Sequence, residues 1–515
     1  MSDSSRTSKS IHNSVVALAY YAINLIINFF ARKIFLEYLG TDILGLNTTA
    51  QNLLQFLNLA ELGIGTAVGF SLYKPLHDGD HETINEIVAL QGKIYKRIGL
   101  IIIAASLILM GFFPLIFKKI TLPLWYAFAS FGAYLFSSLL SYFLNYKQIL
   151  LSASQKDYKI NYSYRTIIII KVIAQTIAVY YLPFPYLWWI GFEVIFGLIA
   201  SIILHIVTIK EFPGLKNVSS SFKELRKKHS AIVTKIKQLF FHKIGSFALT
   251  QSSPLIIYAF IDLNVVALYG NYMIVITGVQ MMMGAMFNSM GAGVGNLVAE
   301  GDENKIKSVF SELFSLRFII TATLTAGIVF FTPAFITLWI GEEYLLPFST
   351  LLLLSALLFI GLSRYTVDAF MNAYGLYSDI WSPVIEAALN IGLSIVLGSV
   401  MGLNGIILGV VISQILVILM WKPFYLFTKS IKGYLKKYVV IFFSHVISGI
   451  GIGFLIWVIF RHMIWNSSAT YVSFVINAFL VTITYVILLI GFLSIFSEGM
   501  RLSVLRIKHL ITSRF

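Results

Sequence analysis

Residues 60–80 read AELGIGTAVGFSLYKPLHDGD. The run is apolar and spaced by glycines, carries one glutamate, Glu61, and ends at Lys74-Pro75, with Asp78 and Asp80 beyond it. With the apolar residues upstream from position 43 it is longer than the roughly 20 residues a helix needs to cross a bilayer. An ionisable group inside such a run costs roughly 2.5–3.5 kcal/mol on insertion scales, so Glu61 requires a reason to be there.

Runs of this kind recur along the whole chain. Of its 515 residues 58% are hydrophobic, 15% aromatic and only 12% charged, against about a quarter charged in soluble proteins. The apolar runs are continuous rather than alternating, which points to helices and not to a barrel. The expected fold is an all-α integral membrane protein of about fourteen transmembrane helices. The second run, 43–73, and the eighth, 264–299, are too long for a straight crossing, so each should tilt, break or extend beyond the membrane.

The formal net charge is +15, and its distribution argues for a membrane rather than nucleic acid. With the N-terminus in the cytoplasm, the inner segments collect nearly all the lysines and arginines. The outer connections then hold only Lys118, Lys119 and Arg461, with Arg32 and Lys33 at the end of the first span assignable to either side. This asymmetry places both termini in the cytoplasm. The tryptophans fall near the proposed span ends, as an interfacial belt does. The polar opening, 1–10, is followed by an apolar run with no cleavage site, which reads as an anchor. The absence of cysteine excludes disulfides and thiolate metal sites.

GDHETINEIV at 79–88 follows the second run, and GDENKIKSVF at 301–310 follows the eighth. Both runs end in closely spaced glycines, at 63 and 65 and at 291, 293 and 295. Two pseudo-symmetric six-helix lobes follow, at 1–209 and 239–430, a plan common among transporters. A terminal helix pair with a cytoplasmic tail occupies 431–515. Between the lobes, 210–238 carries Phe222, Leu225, Ile232, Ile236 and Leu239 at helical spacing with cations between them. It reads either as a basic amphipathic helix on the inner leaflet or as a plain cytoplasmic linker.

The remaining intramembrane charges are functional candidates by the same cost argument. The cations are Arg32, Arg165, Lys171, Lys243, Arg317 and Arg364; the anions, with Glu61, are Glu193, Asp368 and Glu386. Arg364 and Asp368 are four apart and can neutralise each other. Arg165, Lys243 and Arg317 lie near cytoplasmic span ends, where long side chains snorkel. Lys171 sits mid-span and, unless a carboxylate such as Glu193 pairs with it, should face a wet cavity suited to an anionic ligand. Asn24, Asn28 and Arg32 form an i, i+4, i+8 stripe of amides and a guanidinium on one helical face.

The stretches RKIFLEYLGTDILGLN, AELGIGTAVGFSLYKPLHDGDHETI and FHKIGSFALTQSSPLIIYAFIDLNVVALYGNY resemble the polysaccharide transporter family. These are the Wzx-type flippases of the multidrug, oligosaccharidyl-lipid and polysaccharide exporter superfamily. The resemblance implies movement of an undecaprenyl-diphosphate-linked oligosaccharide repeat unit from the cytoplasmic to the outer leaflet of a bacterial inner membrane. Its implied products are capsule, exopolysaccharide or O-antigen. It also implies a cationic cavity, matched in type by Arg32, Lys171 and Arg364, and an acidic position matched by Glu61. Glu61 itself reads either as a cavity carboxylate that pairs with a cation or carries a coupling proton, or as a buried hydrogen bond that fixes the second span against its neighbour. No cofactor is expected beyond proton or sodium coupling; partners would be the lipid-linked sugar, the bilayer, and a polymerase and assembly enzymes. Relatives often carry an aspartate in the seventh span, where this chain has Thr250-Gln251-Ser252-Ser253-Pro254.

An enzyme is not expected. A membrane polymerase or glycosyltransferase needs a sizeable outer loop, and connections such as 340–347 and 401–403 are short. Neither a P-loop nor a metal-ligand cluster is visible. A drug exporter would favour anionic or aromatic cavity residues, whereas a peptidoglycan or teichoic-acid precursor suits the same charges.

Overall fold

The computed structural model describes residues 3–512 apart from 62, 119, 121, 217, 289–290, 377–378 and 380, with backbone alone over 3–11, 241–251, 506–512 and scattered other positions. All regular structure among the described residues is helical. The first unit, Met1–Ala267, contains α1 (Asp3–Leu57), α2 (Ile64–Asp78), α3 (His81–Gly111), α4 (Trp125–Phe143), α5 (Thr166–Tyr181), α6 (Pro185–Glu211), the short α7 (Phe222–Lys228) and α8 (Ser230–Phe260). Helix α9 (Leu263–Asn288) begins at its end. The second unit, Leu268–Phe515, continues with α10 (Gly291–Glu300), α11 (Glu303–Trp339), α12 (Phe348–Ala373), α13 (Trp381–Gln414), α14 (Lys422–Lys429), α15 (Leu435–Trp465), α16 (Tyr471–Phe496) and α17 (Glu498–Thr512).

Among the described residues ten helices are long and apolar enough to cross a membrane, or eleven if Trp125–Phe143 and Tyr146–Ala153, bent by 56°, form one span. The expected fourteen are not reached on this measure, because expected neighbours run on as single kinked helices. Val15–Leu57 has 43 residues and Trp381–Lys429 has 49, each about twice what one crossing takes. The kinks lie at Gly40 (φ 79) and Gly402 (φ 57), where the left-handed backbone suits glycine. The seventh expected span falls largely on residues described by backbone alone.

The second run breaks as its length suggests. A 3-10 turn, Asn58–Glu61, ends the first helix, and α2 starts after Gly63 (φ 91). Gly63 also packs closely on Leu239, whereas Gly65 and Gly295 have no such tight neighbour. The eighth run divides between α9 and α10.

The two copies of the Gly-Asp motif adopt one geometry. Gly79 (φ 68) and Gly301 (φ 77) are left-handed, and the following aspartates cap the next helix. Asp80 accepts from Thr83 N at 3.0 Å; Asp302 accepts from Asn304 N at 3.0 Å and Lys305 N at 3.1 Å. Such caps contribute about 1 kcal/mol each.

The basic segment after α6 does not lie on the bilayer by an apolar face of its own. Leu225 and Ile232 are buried in the core formed with Ile64, Val68, Ile84 and Ile87, and Phe222 and Ile236 pack against it. Residues from Ser230 onward already belong to α8. The amphipathic spacing is real, but protein covers it. Asn85 fixes the strap by donating to Gly214 O at 3.3 Å and accepting from Lys216 N at 3.1 Å. Glu86 accepts from Lys228 at 2.6 Å and lies 2.9 Å from His229 Nε2. Arg97 stacks over Phe222 at 3.6 Å.

Candidate functional site: intramembrane charges and a polar cavity

Glu61 ends the 3-10 turn, where the broken helix turns its carboxylate towards α3 and α4. Tyr95 donates to Oε1 at 3.1 Å and Tyr142 to Oε2 at 2.8 Å. The two phenol rings meet edge to face at 5.6 Å. The Tyr142 hydroxyl is shared with Asn58 Oδ1 at 3.1 Å, and Asn58 Nδ2 donates to Ser138 at 3.2 Å. Among the described residues no cation pairs with Glu61; two neutral donors hold it instead.

The carboxylate lines a cavity of about 630 Å³ inside the first unit, together with Gln91, Tyr95, Asp157, Asn161 and Arg165. Asn161 and Arg165 come from a π-helical turn, Asn161–Arg165, that leads into α5. Arg165, expected to snorkel, is exposed and lines this cavity.

Lys171 and Glu193 are brought together. Lys171 donates to Glu193 Oε2 at 2.7 Å, and Gln175, one turn along, reaches the same oxygen at 3.4 Å. Both charges are buried, so each neutralises the other where a lone charge would be costly. This is the arrangement in which Lys171 needs no wet cavity. Asn28 donates to Asn24 Oδ1 at 2.7 Å, so the α1 stripe is partly engaged with itself, and Arg32 is half-buried on the same helix.

In the second unit Arg364 donates to Asp368 Oδ2 at 2.6 Å. The other oxygen, Oδ1, accepts from Lys422 at 2.8 Å, a partner that its place near a span end had concealed. Glu386, 4% exposed, lies in the field of Arg364, Lys422 and Asp368. With all four ionised the group is neutral. Arg317 is buried and does not snorkel: its Nη2 donates to Phe287 O at 3.1 Å, and its guanidinium lies 5.1 Å from the Phe287 ring. Helix α11 starts at Glu303, several turns earlier, which carries Arg317 beyond reach of a surface. The Lys243 side chain lies outside the described residues. A second, largely apolar cavity of about 930 Å³ is bounded by α11, α12 and α15, with Phe318, Phe330, Phe359 and Trp457 in its walls.

The backbone is similar along nearly its whole length to the lipid II flippase MurJ in an inward closed conformation. The TM-score is 0.65 at 16% identity, covering 94% of this chain and 98% of that one. It is also similar to a multidrug resistance MATE family transporter of the MOP superfamily, inward-facing, with TM-score 0.57 at 14% identity over 82% of this chain and 99% of that one. An outward-facing structure of that kind gives 0.53 at 14% identity, over 83% and 96%. The fold is the one that these structures share. No family model matches the chain, and no curated protein matches it by sequence. The chain is a multi-pass membrane protein, and the structures that share its fold are transporters and a flippase rather than enzymes.

Sequence reasoning missed Tyr95, Tyr142, Gln91, Asn161 and Lys422. The tyrosines come from helices 34 and 81 positions from Glu61, and no local spacing marks them. Among 27 tyrosines neither stands out.

Proposed function

We propose that this protein is a flippase that carries a polyprenyl-diphosphate-linked oligosaccharide from the cytoplasmic to the outer leaflet by alternating access. The observation that carries the reading is coverage. The likeness to the lipid II flippase extends over 94% of this chain, whereas the exporter likenesses stop at 82% and 83%. A drug exporter therefore matches less of the molecule than a lipid-linked-sugar flippase does.

Charge chemistry supports the same reading. A diphosphate is recognised by guanidinium and ammonium groups in a hydrated cleft, and Arg32 is the proposed contact on α1. Arg364 would serve only by exchanging Asp368 for the ligand. Glu61, held by phenols rather than by a cation, is the proposed coupling carboxylate. The inner membrane and cytoplasmic termini belong to this proposal, on the positive-inside pattern.

A second reading, a peptidoglycan-type precursor as cargo, is favoured by the name of the matched flippase itself. One experiment separates the two. The protein is depleted, and lipid-linked species are identified by mass spectrometry with their leaflet assigned. An oligosaccharide on a polyprenyl diphosphate accumulating on the cytoplasmic face supports the proposal, and a peptide-bearing precursor supports the second reading. Complete units reaching the outer leaflet and remaining unpolymerised would overturn both.

A further inference from the structure

The cavity around Glu61 has a chemistry that coupling alone does not use. Its volume of about 630 Å³ falls within the roughly 300–1,000 Å³ of small-molecule sites. Acceptor-bearing side chains line it in number, Glu61, Asp157, Gln91 and Asn161, with Tyr95 and Tyr142 already donating to Glu61 and Ser152 to Asp157. Arg165 and the amides of the same Gln91 and Asn161 bring donor groups to the same walls.

Gln91 is the decisive residue. It is 1% exposed, its side chain forms part of the cavity wall, and among the described residues its Oε1, covered behind that wall, has no hydrogen-bond partner, so that a turn of the amide would present it to a ligand. Leaving such an acceptor unsatisfied costs about 1–3 kcal/mol. Asn161, 3% exposed, stands in a π-helical turn, a local irregularity that recurs at functional sites.

Charge balance narrows the class of ligand. One guanidinium against two carboxylates makes a poor anion site. A bare cation would face Arg165 and the amide donors. An apolar molecule would leave the acceptors unpaired. The ligand that fits is neutral and both donates and accepts along its edge, as the hydroxyls of a sugar ring do.

We infer that this cavity of the first unit binds a neutral pyranose of the translocated head group, with Gln91 and Asn161 as its specificity-determining contacts. The inference rests on the flippase reading for its biological ligand, but the pocket can be tested without it.

The full chain is placed in lipid nanodiscs and probed by saturation-transfer NMR with free glucose, galactose and N-acetylglucosamine at millimolar concentrations. At least one sugar should receive signal from the wild-type protein. Binding should weaken about tenfold in Gln91→Leu, as expected for one lost buried hydrogen bond. Asn161→Leu, on a different element, should do the same, and it reads the pocket should Gln91→Leu fail to fold. Thr325→Leu, in the apolar cavity of the second unit, should leave binding unchanged.

No signal from any of the three sugars, or signal indifferent to both cavity substitutions, would overturn the inference. So would a response to sodium without one to sugar, which would make the cavity an ion vestibule. Lipid-linked oligosaccharide flipping, measured in parallel on the same preparations, separates the claims. Flipping with no sugar binding overturns the pocket alone; sugar binding without flipping overturns the transport reading alone.

Discussion

Glu61 receives two phenolic hydroxyls from two different helices, so it serves as a structural tie and as a charge at once. Glu61→Gln separates the two roles, because an amide still engages both phenols while the charge is lost. The expected result is normal assembly and thermal stability, with transport reduced at least about tenfold, a change of about 1.4 kcal/mol. Full transport in that variant would leave Glu61 a purely structural residue. Lys171 and Glu193 make the complementary case. Lys171→Met should lower thermal stability by about 3 kcal/mol by stranding a buried carboxylate, and adding Glu193→Leu should restore most of it. Equal loss in the single and double variants would contradict the pairing. Both partners could be found in the sequence, because two costly charges on successive helices invite each other, and the i, i+4 spacing of Arg364 and Asp368 spoke for itself. Lys422 could not be found so. It lies 54 residues from Asp368 and among basic residues that the positive-inside rule already explains.

The breaks and caps of the helices were more legible than their side-chain partners. Excess length and paired glycines foretold the interruption before α2, because a helix that overshoots the bilayer must bend or stop. The sequence leaves the amphipathic segment open between a leaflet helix and a linker for a physical reason: periodicity reports that an apolar face is buried, but not whether lipid or protein buries it. The strap that resulted makes its own prediction. The hydrogen bond to Glu86 raises the Lys228 ammonium above its ordinary value. With Glu86 ionised, this latch therefore contributes fully below the ordinary lysine range and is lost as pH rises through the raised Lys228 value; at the acid end it is lost when Glu86 is protonated. Glu86→Ala should free the strap at neutral pH, and trypsin should then cut within 214–228 faster than in wild type. Unchanged cleavage would show that the apolar packing of Leu225 and Ile232 holds it alone. Gly45 offers a test of helix approach, since a Cβ there would collide with the Leu263 backbone at the start of α9. Gly45→Ala should open that contact. Because the chain has no cysteine of its own, single cysteines placed at 41 and 264 report it directly by a gain in labelling rate.

At the scale of the molecule, the repeated Gly-Asp caps recur once in each compact unit, and the backbone is similar over 94% of the chain to that of the matched lipid II flippase. The sequence could reach this class because membrane chemistry constrains composition, span length and charge placement together. It could not reach the partners drawn from distant helices, the two tyrosines on Glu61 and the lysine on Asp368.

The claim that the molecule flips a lipid-linked oligosaccharide is tested most directly in proteoliposomes that hold only the purified protein and an undecaprenyl-diphosphate-linked oligosaccharide bearing a fluorophore. The account predicts that quencher added outside reaches the inner-leaflet fraction only when the protein is present, and that Glu61→Gln slows this exchange. Fluorescence that stays protected to the same extent with and without the protein would contradict it.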